Sequence, residues 1–448
     1  MPHGCYRFFP LLFVILLAAP ADATTRRVPS EYPTIQAGIN AAATGDTVLV
    51  APGTYAGFGN NDIEFEGKDI VLVSEAGPQA TIIDASSAAP PMNDNLGFYL
   101  YEGETNAARI DGFTVRGARN WYNGRFGAGI LCYNASPTIA NCIISQNWAG
   151  QSDPYKQSGQ FGCGVAGGIL IESTLTPMTI INCMIVENGA NCSGGAVYIR
   201  NAEVLFDGCT FFQNREVSVI VADGADVTFS GCTIAQTTTY EGWGNDLYVG
   251  PGGNVSLEST VVWGTCSQIT VAAGGTLQVT CSVVDNSKVV GPGSIQYVGQ
   301  NVFADPLFCS AVACGGPPFD DIGDYRVMSA SPCLPENNPC GVLIGALGSC
   351  AATSVPTSPG FPDNSIWASP NPFSTSTSLS LGAALDRDAT LHVFDVAGRR
   401  VREFRVTPGA DRVFWDGADD NAQRVGAGTY LLRLEGAQRS AGRVTIVR

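Results

Sequence analysis

Two oppositely charged residues stand at matching positions of successive repeats in this 448-residue chain. Glu172 follows the run at 168–171 (GILI), and Arg200 follows the run at 196–199 (AVYI). An acid held beside a base is a candidate pair for proton transfer. The same arrangement more often forms a surface ion pair of small energetic value. We therefore expect no catalysis, and Glu172 and Arg200 are the catalytic candidates of the alternative hypothesis, an enzyme.

Aromatic residues are predicted to share the face that carries this pair. If Ile169 and Ile171 point into a core, alternation along the strand turns Leu170 and then Glu172 outward. The same register turns five tyrosines outward, namely Tyr99, Tyr101, Tyr133, Tyr198 and Tyr248. Two flanking insertions, at 116–127 and 148–164, contribute Trp121, Tyr122, Arg125, Tyr155 and Lys156. Such rings suit stacking on sugars, although tyrosine also fits a pleated surface that binds nothing.

An acidic cluster at Asp320, Asp321 and Asp324 is the candidate metal site. Carboxylate oxygens are the ligands that Ca²⁺ prefers. The cluster lies in a cysteine-rich segment, however, where acidic residues in turns are the simpler interpretation. The chain shows no phosphate loop, nucleophile elbow or zinc motif. We expect no cofactor, with Ca²⁺ as the alternative.

A repeated unit must position these residues. Similar four-residue segments recur around Cys142, Cys183, Cys209 and Cys232, and we align the next two repeats on Thr260 and Cys281. The intervals run from 21 residues (260 to 281) to 41 residues (142 to 183). Each unit contains three short runs of alternating polarity separated by turn residues. The sequence therefore predicts an all-β solenoid, a parallel β-helix of about eight coils with three strands per coil between Ile63 and Val298.

The repeat cysteines are predicted to form a stacked interior column, and asparagine to occupy a corner of each coil. We expect the repeat cysteines, Cys281 included, to stack as free thiols, because Cys packs as a small hydrophobe. A serine at Cys209 would then cost about 1–3 kcal/mol if its hydroxyl found no partner. Asn suits that corner because its side chain bonds nearby backbone and tolerates a left-handed conformation. The better disulfide candidates are Cys163 with Cys192, and a cluster of unassigned pairing formed by Cys309, Cys314, Cys333, Cys340 and Cys350.

Both ends of the repeat region have recognisable sequences. The segment at 32–42 places Ile35, Ile39 and Ala42 on one face of a helix that would cap the solenoid. With the strand and turn at 45–55, it resembles the N-terminal segment of the pectate-lyase-like superfamily of right-handed parallel β-helices. Three segments near the other end, at 304–308, 324–327 and 331–333, are similar to the closing segment of secreted bacterial β-helix proteins.

The resemblance implies a right-handed coil and, as the alternative function, a polysaccharide lyase or glycoside hydrolase. Hydrolases of this fold use clustered aspartates with a histidine motif, and this region has no histidine after the N-terminal leader. Pectate lyases place several acidic Ca²⁺ ligands near a basic residue, which removes the proton that the metal acidifies. On the candidate face, the only acidic residue beside a basic residue is Glu172, next to Arg200. The expected function is therefore binding of extracellular polysaccharide or a structural role.

The remaining sequence predicts export and a second domain. Residues 1–23 resemble a secretory signal, with Arg7 before a short apolar core. Residues 24–350 form the β-helix with its caps, and residues 351–363 a Pro/Ser/Thr linker. Residues 364–448 resemble the Ig-like domain of flagellar hook-capping proteins and the sorting domains of type IX secretion cargo. This implies a small β-sandwich that contacts the secretion machinery, on a secreted or surface-displayed chain that does not span a membrane.

Charge supports this division. Residues 24–363 contain 12 basic and 30 acidic residues, a net charge of −18, whereas residues 364–448 contain 11 basic and 9 acidic residues, a net +2. A strongly anionic β-helix lacks the basic surface that nucleic acids require. The partners expected are an extracellular glycan or a component of the cell surface.

If the chain consists of two independent domains, limited proteolysis of the mature protein should cut first between Ala351 and Asp363. The linker composition and the change in net charge are the reasons for this boundary. Mass spectrometry of the first fragments measures it. Early cleavage inside the repeats, with the linker protected, would contradict it.

Overall fold

The fold is seen in a computed structural model. In the repeat region it describes residues 23–86, 95–120, 129–150, 165–191, 194–235, 237, 244–264, 267–311 and 323–350. In the C-terminal region it describes residues 366–369, 377–381, 388–395, 399–407, 412–421, 423–426, 428–435 and 440–446.

Three parallel sheets form the repeat region, and the chain visits them in turn. Sheet 1 has eight described strands: Phe98–Leu100, Ile130–Tyr133, Ile169–Glu172, Val197–Arg200, Val217–Ala222, Gly244–Val249, Ser267–Val271 and Val289–Val290. Sheet 2 has eleven: Thr25–Val28, Thr47–Val50, Val71–Ser74, Arg109–Asp111, Thr138–Ala140, Met178–Ile181, Glu203–Asp207, Asp226–Ser230, Asn254–Glu258, Thr276–Thr280 and Ser294–Val298.

Sheet 3 completes each coil. It has nine described strands: Gly53–Ala56, Thr81–Asp84, Thr114–Arg116, Ile143–Ser145, Met184–Val186, Thr210–Phe212, Thr233–Ala235, Val261–Trp263 and Val283–Val284. A short fourth ladder joins sheet 3 to sheet 1 through Arg119–Asn120, Trp148–Ala149 and Gly189–Ala190. The predicted fold class, a parallel β-helix with three main strands per coil and about eight coils, is confirmed.

The core follows from the alternation of each strand. In sheet 2, Ile180, Phe206 and Phe229 lie in successive coils at one register position, and all three are buried. The rings of Phe206 and Phe229 stack at 4.9 Å between centroids. One continuous apolar cluster runs through the coils from Val28 to Val284. Each coil therefore buries its inner face both against its neighbours and within itself, as the edge-to-face contact of Phe206 with Phe211 in one coil shows.

A ladder of side chains closes the corner between sheets 2 and 3. The backbone N–H of Cys183 donates to Sγ of Cys209 (3.4 Å), and the N–H of Cys209 donates to Sγ of Cys232 (3.4 Å). Burial raises the pKa of Cys209 well above its ordinary value, so the thiol stays protonated and donates to the carbonyl of Ile180 (3.3 Å). The stacked free thiols are confirmed for Cys142, Cys183, Cys209 and Cys232.

The prediction for Cys281 is wrong. The N–H of Cys232 donates to Oγ1 of Thr260 (3.1 Å), and that of Thr260 donates to Oγ of Ser282 (3.0 Å). Ser282 therefore occupies the ladder, and Cys281 precedes it in the left-handed region with φ 54°. The column is also not purely apolar, since Thr260 and Ser282 hydroxyls continue the hydrogen bonds of the thiols.

A second ladder lies at the corner after sheet 3. The N–H of Asn188 donates to Oδ1 of Asn214 (3.0 Å), and the N–H of Asn147 donates to Oδ1 of Asn188 (3.2 Å). The side-chain amide of Asn188 also donates to the carbonyl of Ile144 (2.8 Å). These asparagines bond backbone as expected, but the left-handed residues are the ones before them, such as Glu187 (φ 59°). Asn is needed here for its hydrogen bonds and not for its φ.

The two ends of the β-helix differ. The helix Ile35–Ala41 lies where the sequence predicted it, capped by the Thr34 hydroxyl, with Ile35 and Ile39 buried. At the other end, Phe308–Ser310 pairs with Asp324–Val327. This C-terminal segment lies along the outer surface of sheet 3, where its residues pack on strands of sheet 3 as far back as Met184–Val186.

Cysteines hold the C-terminal segment. Disulfides join Cys281 to Cys340 and Cys309 to Cys350, and Cys333 is a buried free thiol. Two members of the predicted cluster thus pair with each other, while Cys340 pairs with the repeat cysteine that was expected to be free. Cys163, Cys192 and Cys314 lie outside the described residues.

The C-terminal region is a small antiparallel β-sandwich, as predicted. One sheet contains Trp367–Ser369, Thr377–Ser380 and Arg412–Trp415; the other contains Arg400–Val406, Ala389–Asp395, Gly428–Glu435 and Ser440–Ile446. Trp415 is buried between them, and its indole N–H donates to the carbonyl of Ala418 (2.8 Å).

The cysteine ladder predicts opposite outcomes for two substitutions at one position. In Cys209→Ser the hydroxyl can accept from Cys183 and donate to Ile180, as Thr260 and Ser282 do elsewhere, so stability should change by less than about 1 kcal/mol. Cys209→Ala leaves the buried N–H of Cys183 without its acceptor and should cost about 1–3 kcal/mol. Urea unfolding midpoints of the mature protein measure both. Equal stability of the two variants would contradict the ladder.

Candidate ligand-binding face

The register of sheet 1 places the predicted residues in two outward rows. The first row contains Tyr99, Leu131, Leu170, Tyr198, Ile220, Tyr248 and Thr270, each paired with the next. The second row contains Tyr133, Glu172, Arg200 and Ala222. Tyr101 follows strand Phe98–Leu100, and its ring stacks on Tyr99 at 4.2 Å between centroids. The register predicted for Tyr99, Tyr133, Tyr198 and Tyr248 is confirmed, whereas no strand pairing is found for Tyr101 in the described chain.

The side chains of these two rows are less exposed to solvent than the sequence suggested. Leu131, Leu170 and Ile220 point outward but are buried. Leu96 and Ala166, which lie just before strands of sheet 1, pack over Leu131 and Leu170. The segments that enter the sheet thus cover part of its outer surface with apolar side chains.

The tyrosines remain accessible around this covered strip. Tyr133 is 43 % exposed, and Tyr99, Tyr101, Tyr198 and Tyr248 are half-buried. Tyr99 and Tyr198 rest against the apolar cluster of Leu131 and Leu170. Their rings are consequently supported from below by packed side chains, which limits the rotamers that they can adopt.

Neighbouring charges and burial keep two phenols protonated. The charge of Glu64, followed by burial, raises the pKa of Tyr101. Burial, followed by the charge of Asp223, raises the pKa of Tyr198. Both side chains carry an O–H at neutral pH, as an ordinary tyrosine does, and Tyr101 shares a side-chain hydrogen bond with Glu102.

Glu172 and Arg200 form an ion pair between adjacent strands. A guanidinium nitrogen of Arg200 (Nη2) donates to Oε1 of Glu172, and Tyr133 lies next to Glu172 in the register. The hydrogen bond to Glu172 raises the pKa of Arg200 above its ordinary value. The pair is half-buried. Both charges are thus engaged with each other, and Arg200 is a poor proton acceptor.

The flanking residues of the prediction lie outside the described residues: Trp121, Tyr122, Arg125, Tyr155 and Lys156. Their place beside the face stays a prediction from the sequence.

Sequence reasoning missed a cluster at the corner between sheets 3 and 1. The ring of Trp148 covers Gly189 so closely that a Cβ there would lie 2.3 Å from it. The guanidinium of Arg215 lies over the same ring at 5.4 Å. Glu187 is buried and accepts a hydrogen bond from Gln146 (2.9 Å), and burial raises its pKa. The glycine directly after Asn188 was the only signal in the sequence.

The candidate metal site receives no support at Asp324. Its Oδ2 accepts from Nη2 of Arg326 (2.8 Å), and its Oδ1 accepts from Nε of the same residue (3.0 Å). Burial raises the pKa of Asp324, but the hydrogen bonds from Arg326 outweigh it and lower the pKa overall. Asp320 and Asp321 lie outside the described residues. Among those that are described, no three His, Cys, Asp or Glu side chains converge as metal ligands.

Within the described part of the chain, no helix is both long and apolar enough to cross a membrane.

Comparison with known families agrees with this architecture. The family model described as "Right handed beta helix region" matches residues 43–303, more than half of the chain. The chain belongs to the right-handed β-helix family. A search of the curated proteins found no match.

Several solved structures are similar to this chain. Pectate lyase Pel9A shares 16 % identity over 70 % of this chain and 90 % of its own, with a TM-score of 0.42. The enzymatically active domain of tailspike protein 2 from bacteriophage CBA120 shares 9 % identity over 90 % of this chain and 69 % of its own, with a TM-score of 0.24.

PorZ, a surface component of the type IX secretion system of Porphyromonas gingivalis, shares 17 % identity over 18 % of this chain, with a TM-score of 0.16. The chain spans only 11 % of PorZ and 9 % of PorU, the first two structures that it matches. All these TM-scores lie below 0.5, so the family assignment rests on the sequence model alone.

Proposed function

We propose that this chain is a secreted or surface-displayed β-helix protein that binds extracellular polysaccharide on the outer face of sheet 1 and does not depolymerise it. The observation that carries the proposal is the set of accessible tyrosine rings held in register on that face. The binding residues proposed are Tyr99, Tyr101, Tyr133, Tyr198 and Tyr248, with the flanking Trp121, Tyr122, Arg125, Tyr155 and Lys156.

The geometry of the sheet suits an extended polymer. Successive coils lie roughly 4.8 Å apart, the spacing of neighbouring strands. Tyr99 and Tyr198 are in one outward row, and three coil steps separate them. Rings carried by paired strands and supported by buried leucines lose little conformational entropy when a ligand stacks on them.

The chemistry of the rings suits sugars. An aromatic face offers apolar area to the C–H groups of a pyranose, while the phenol offers a hydrogen bond to its hydroxyls. The pKa values of Tyr101 and Tyr198 are raised, so both phenols are uncharged at neutral pH, as an ordinary tyrosine is. The acidic residues that raise them, Glu64 and Asp223, favour a glycan without acidic groups, since like charges repel.

The ion pair supports binding over elimination. A lyase needs a base that is unprotonated when it removes the proton next to a carboxylate. The hydrogen bond from Arg200 to Glu172 favours the protonated guanidinium instead. Removing Arg200 from that bond would also leave a half-buried Glu172 unpaired.

Export and display are proposed from the sequence. The N-terminal segment at 1–23 resembles a secretory signal, and the β-sandwich resembles sorting domains of type IX secretion cargo. We infer that the sandwich contacts the secretion machinery and holds the β-helix at the cell surface.

Tyrosine substitutions test the binding face. Tyr133→Ala, Tyr198→Ala and Trp121→Ala should each weaken binding to the best ligand of a glycan array by about 1–3 kcal/mol, as hot-spot residues do. Leu205→Ala is the matched control, because Leu205 is similarly exposed (37 %) but lies on sheet 2. Isothermal titration measures the affinities.

The same preparation distinguishes binding from catalysis. Incubation with the ligand should release no reducing ends and no unsaturated product, and Glu172→Gln should change the affinity little. A depolymerising activity that disappears in Glu172→Gln or Arg200→Ala would establish the enzyme alternative. If no glycan binds and the tyrosine variants are silent, the proposal fails and a purely structural role remains.

Deletion of residues 364–448 tests the role of the sandwich. The truncated β-helix should remain folded and move from the cell surface to the medium or the periplasm, because its anchor is gone. Cell fractionation with circular dichroism of the purified product measures both. Unchanged surface localisation of the truncated protein would refute the anchoring role.

A further inference from the structure

The last coil of the β-helix ends in an open edge. Strand Ser294–Val298 pairs with Thr276–Thr280 on one side. On its other side, no strand of the described chain pairs with it. The backbone groups along that side are available to another strand.

Two columns of core side chains, each formed by aligned residues of successive coils, also end at this strand. Ile295 aligns with Leu277, and Tyr297 aligns with Val279. Both partners are fully buried in the coil above, whereas Tyr297 is 42 % exposed and Ile295 is half-buried. Tyr297 is therefore a core position that no further coil of the described chain covers. Its ring packs edge to face on Phe303 at 5.2 Å, and Phe303 is exposed as well.

The chain on either side of the open strand carries no charge. Residues 289–304 contain no Asp, Glu, Lys or Arg, in a chain whose net charge is −16. Edge strands of monomeric proteins are usually protected by charged side chains, proline or a covering element. Ser294–Val298 has neither a charge nor a proline.

The opposite end of the same sheet is protected in the usual way. Its edge strand, Thr25–Val28, contains Arg26 and Arg27, and Arg26 pairs with Asp46 (3.3 Å). The capping helix Ile35–Ala41 lies beside this strand, with Ile35 and Ile39 in the core. The C-terminal segment could have served the same purpose at the other end, but it packs along the outer surface of sheet 3.

We propose that a second copy of this chain covers the open end, through antiparallel pairing of Ser294–Val298 with the same strand of its partner. A strand of another chain can hydrogen-bond directly to the open backbone groups of an edge. Two chains of like charge can approach where neither carries charge. A twofold axis pairs the edge with the same edge of the partner, and twofold dimers are the commonest homo-oligomers.

The pairing also continues the core. With the axis at Gln296, Ile295 of one protomer lies opposite Tyr297 of its partner, and the reverse contact is made as well. These side chains share one face of the strand, since residues two apart do. The two open columns of each β-helix would therefore end against those of the other.

The oligomeric state of the full mature chain tests the proposal. Sedimentation velocity should show a dimer whose fraction rises with protein concentration. Tyr297→Lys should raise the dissociation constant at least about tenfold, because it places a charge in the centre of the interface. Leu205→Lys is the control: its exposure is similar and it lies on the same sheet, but its strand is paired on both sides. It should leave the dimer unchanged.

A cross-link tests the geometry independently of Tyr297. Under mild oxidation Gln296→Cys should form a disulfide with itself across the axis, since facing Cα atoms of antiparallel strands lie about 4.5–5.5 Å apart. Ser294→Cys should not, because it faces Val298 of the partner. Non-reducing gels with mass mapping identify the bond. A monomeric wild-type chain at its highest soluble concentration, or a dimer that lacks the Gln296 cross-link and survives Tyr297→Lys, would overturn the proposal.

Discussion

In-register hydrogen bonding between coils at their corners is the interaction on which this structure depends. The strands of one coil bond those of the next, but a corner interrupts the ladder and leaves buried amides that need acceptors. Sγ of Cys209 and Oδ1 of Asn214 accept such amides from the preceding coil. Because each acceptor must lie one coil below its donor, the corners hold the coils in register.

The register of the coils in turn determines which side chains lie together on the surface. It places Tyr133 beside Glu172 and Glu172 beside Arg200 on sheet 1, so that an ion pair and aromatic rings share one rigid face. It also carries the core columns to Tyr297, where, in the part of the chain that the structure describes, no further coil covers them. The proposed glycan face and the proposed dimer interface are consequences of the same stacking, one along the side of the solenoid and one at its end.

Much of the β-helix could be predicted from the sequence, because each coil of a solenoid contacts only the neighbouring coils. Alternation of two within Ile169–Glu172 separates core from surface, and repetition across coils extends that assignment to Tyr198 and Arg200. Errors arose where alignment rested on residue type alone. Cys281 was aligned with the other cysteines because it is a cysteine, but the side chain that accepts from the amide of Thr260 is Ser282. The ladder requires a hydrogen-bond acceptor at a fixed position, and either sulfur or oxygen can fill that role.

Sequence by itself determined the repeat, the inward and outward sides of its strands, the capping helix and the rows that contain the tyrosines. Each of these follows from patterns within one coil or between neighbours. Only the tertiary structure decided that Leu131 and Leu170 are covered, that Arg200 is bound to Glu172, and that the C-terminal segment leaves Tyr297 open. These features depend on which surfaces are buried by segments distant in the chain. Such burial cannot be read from the local alternation of polar and apolar residues.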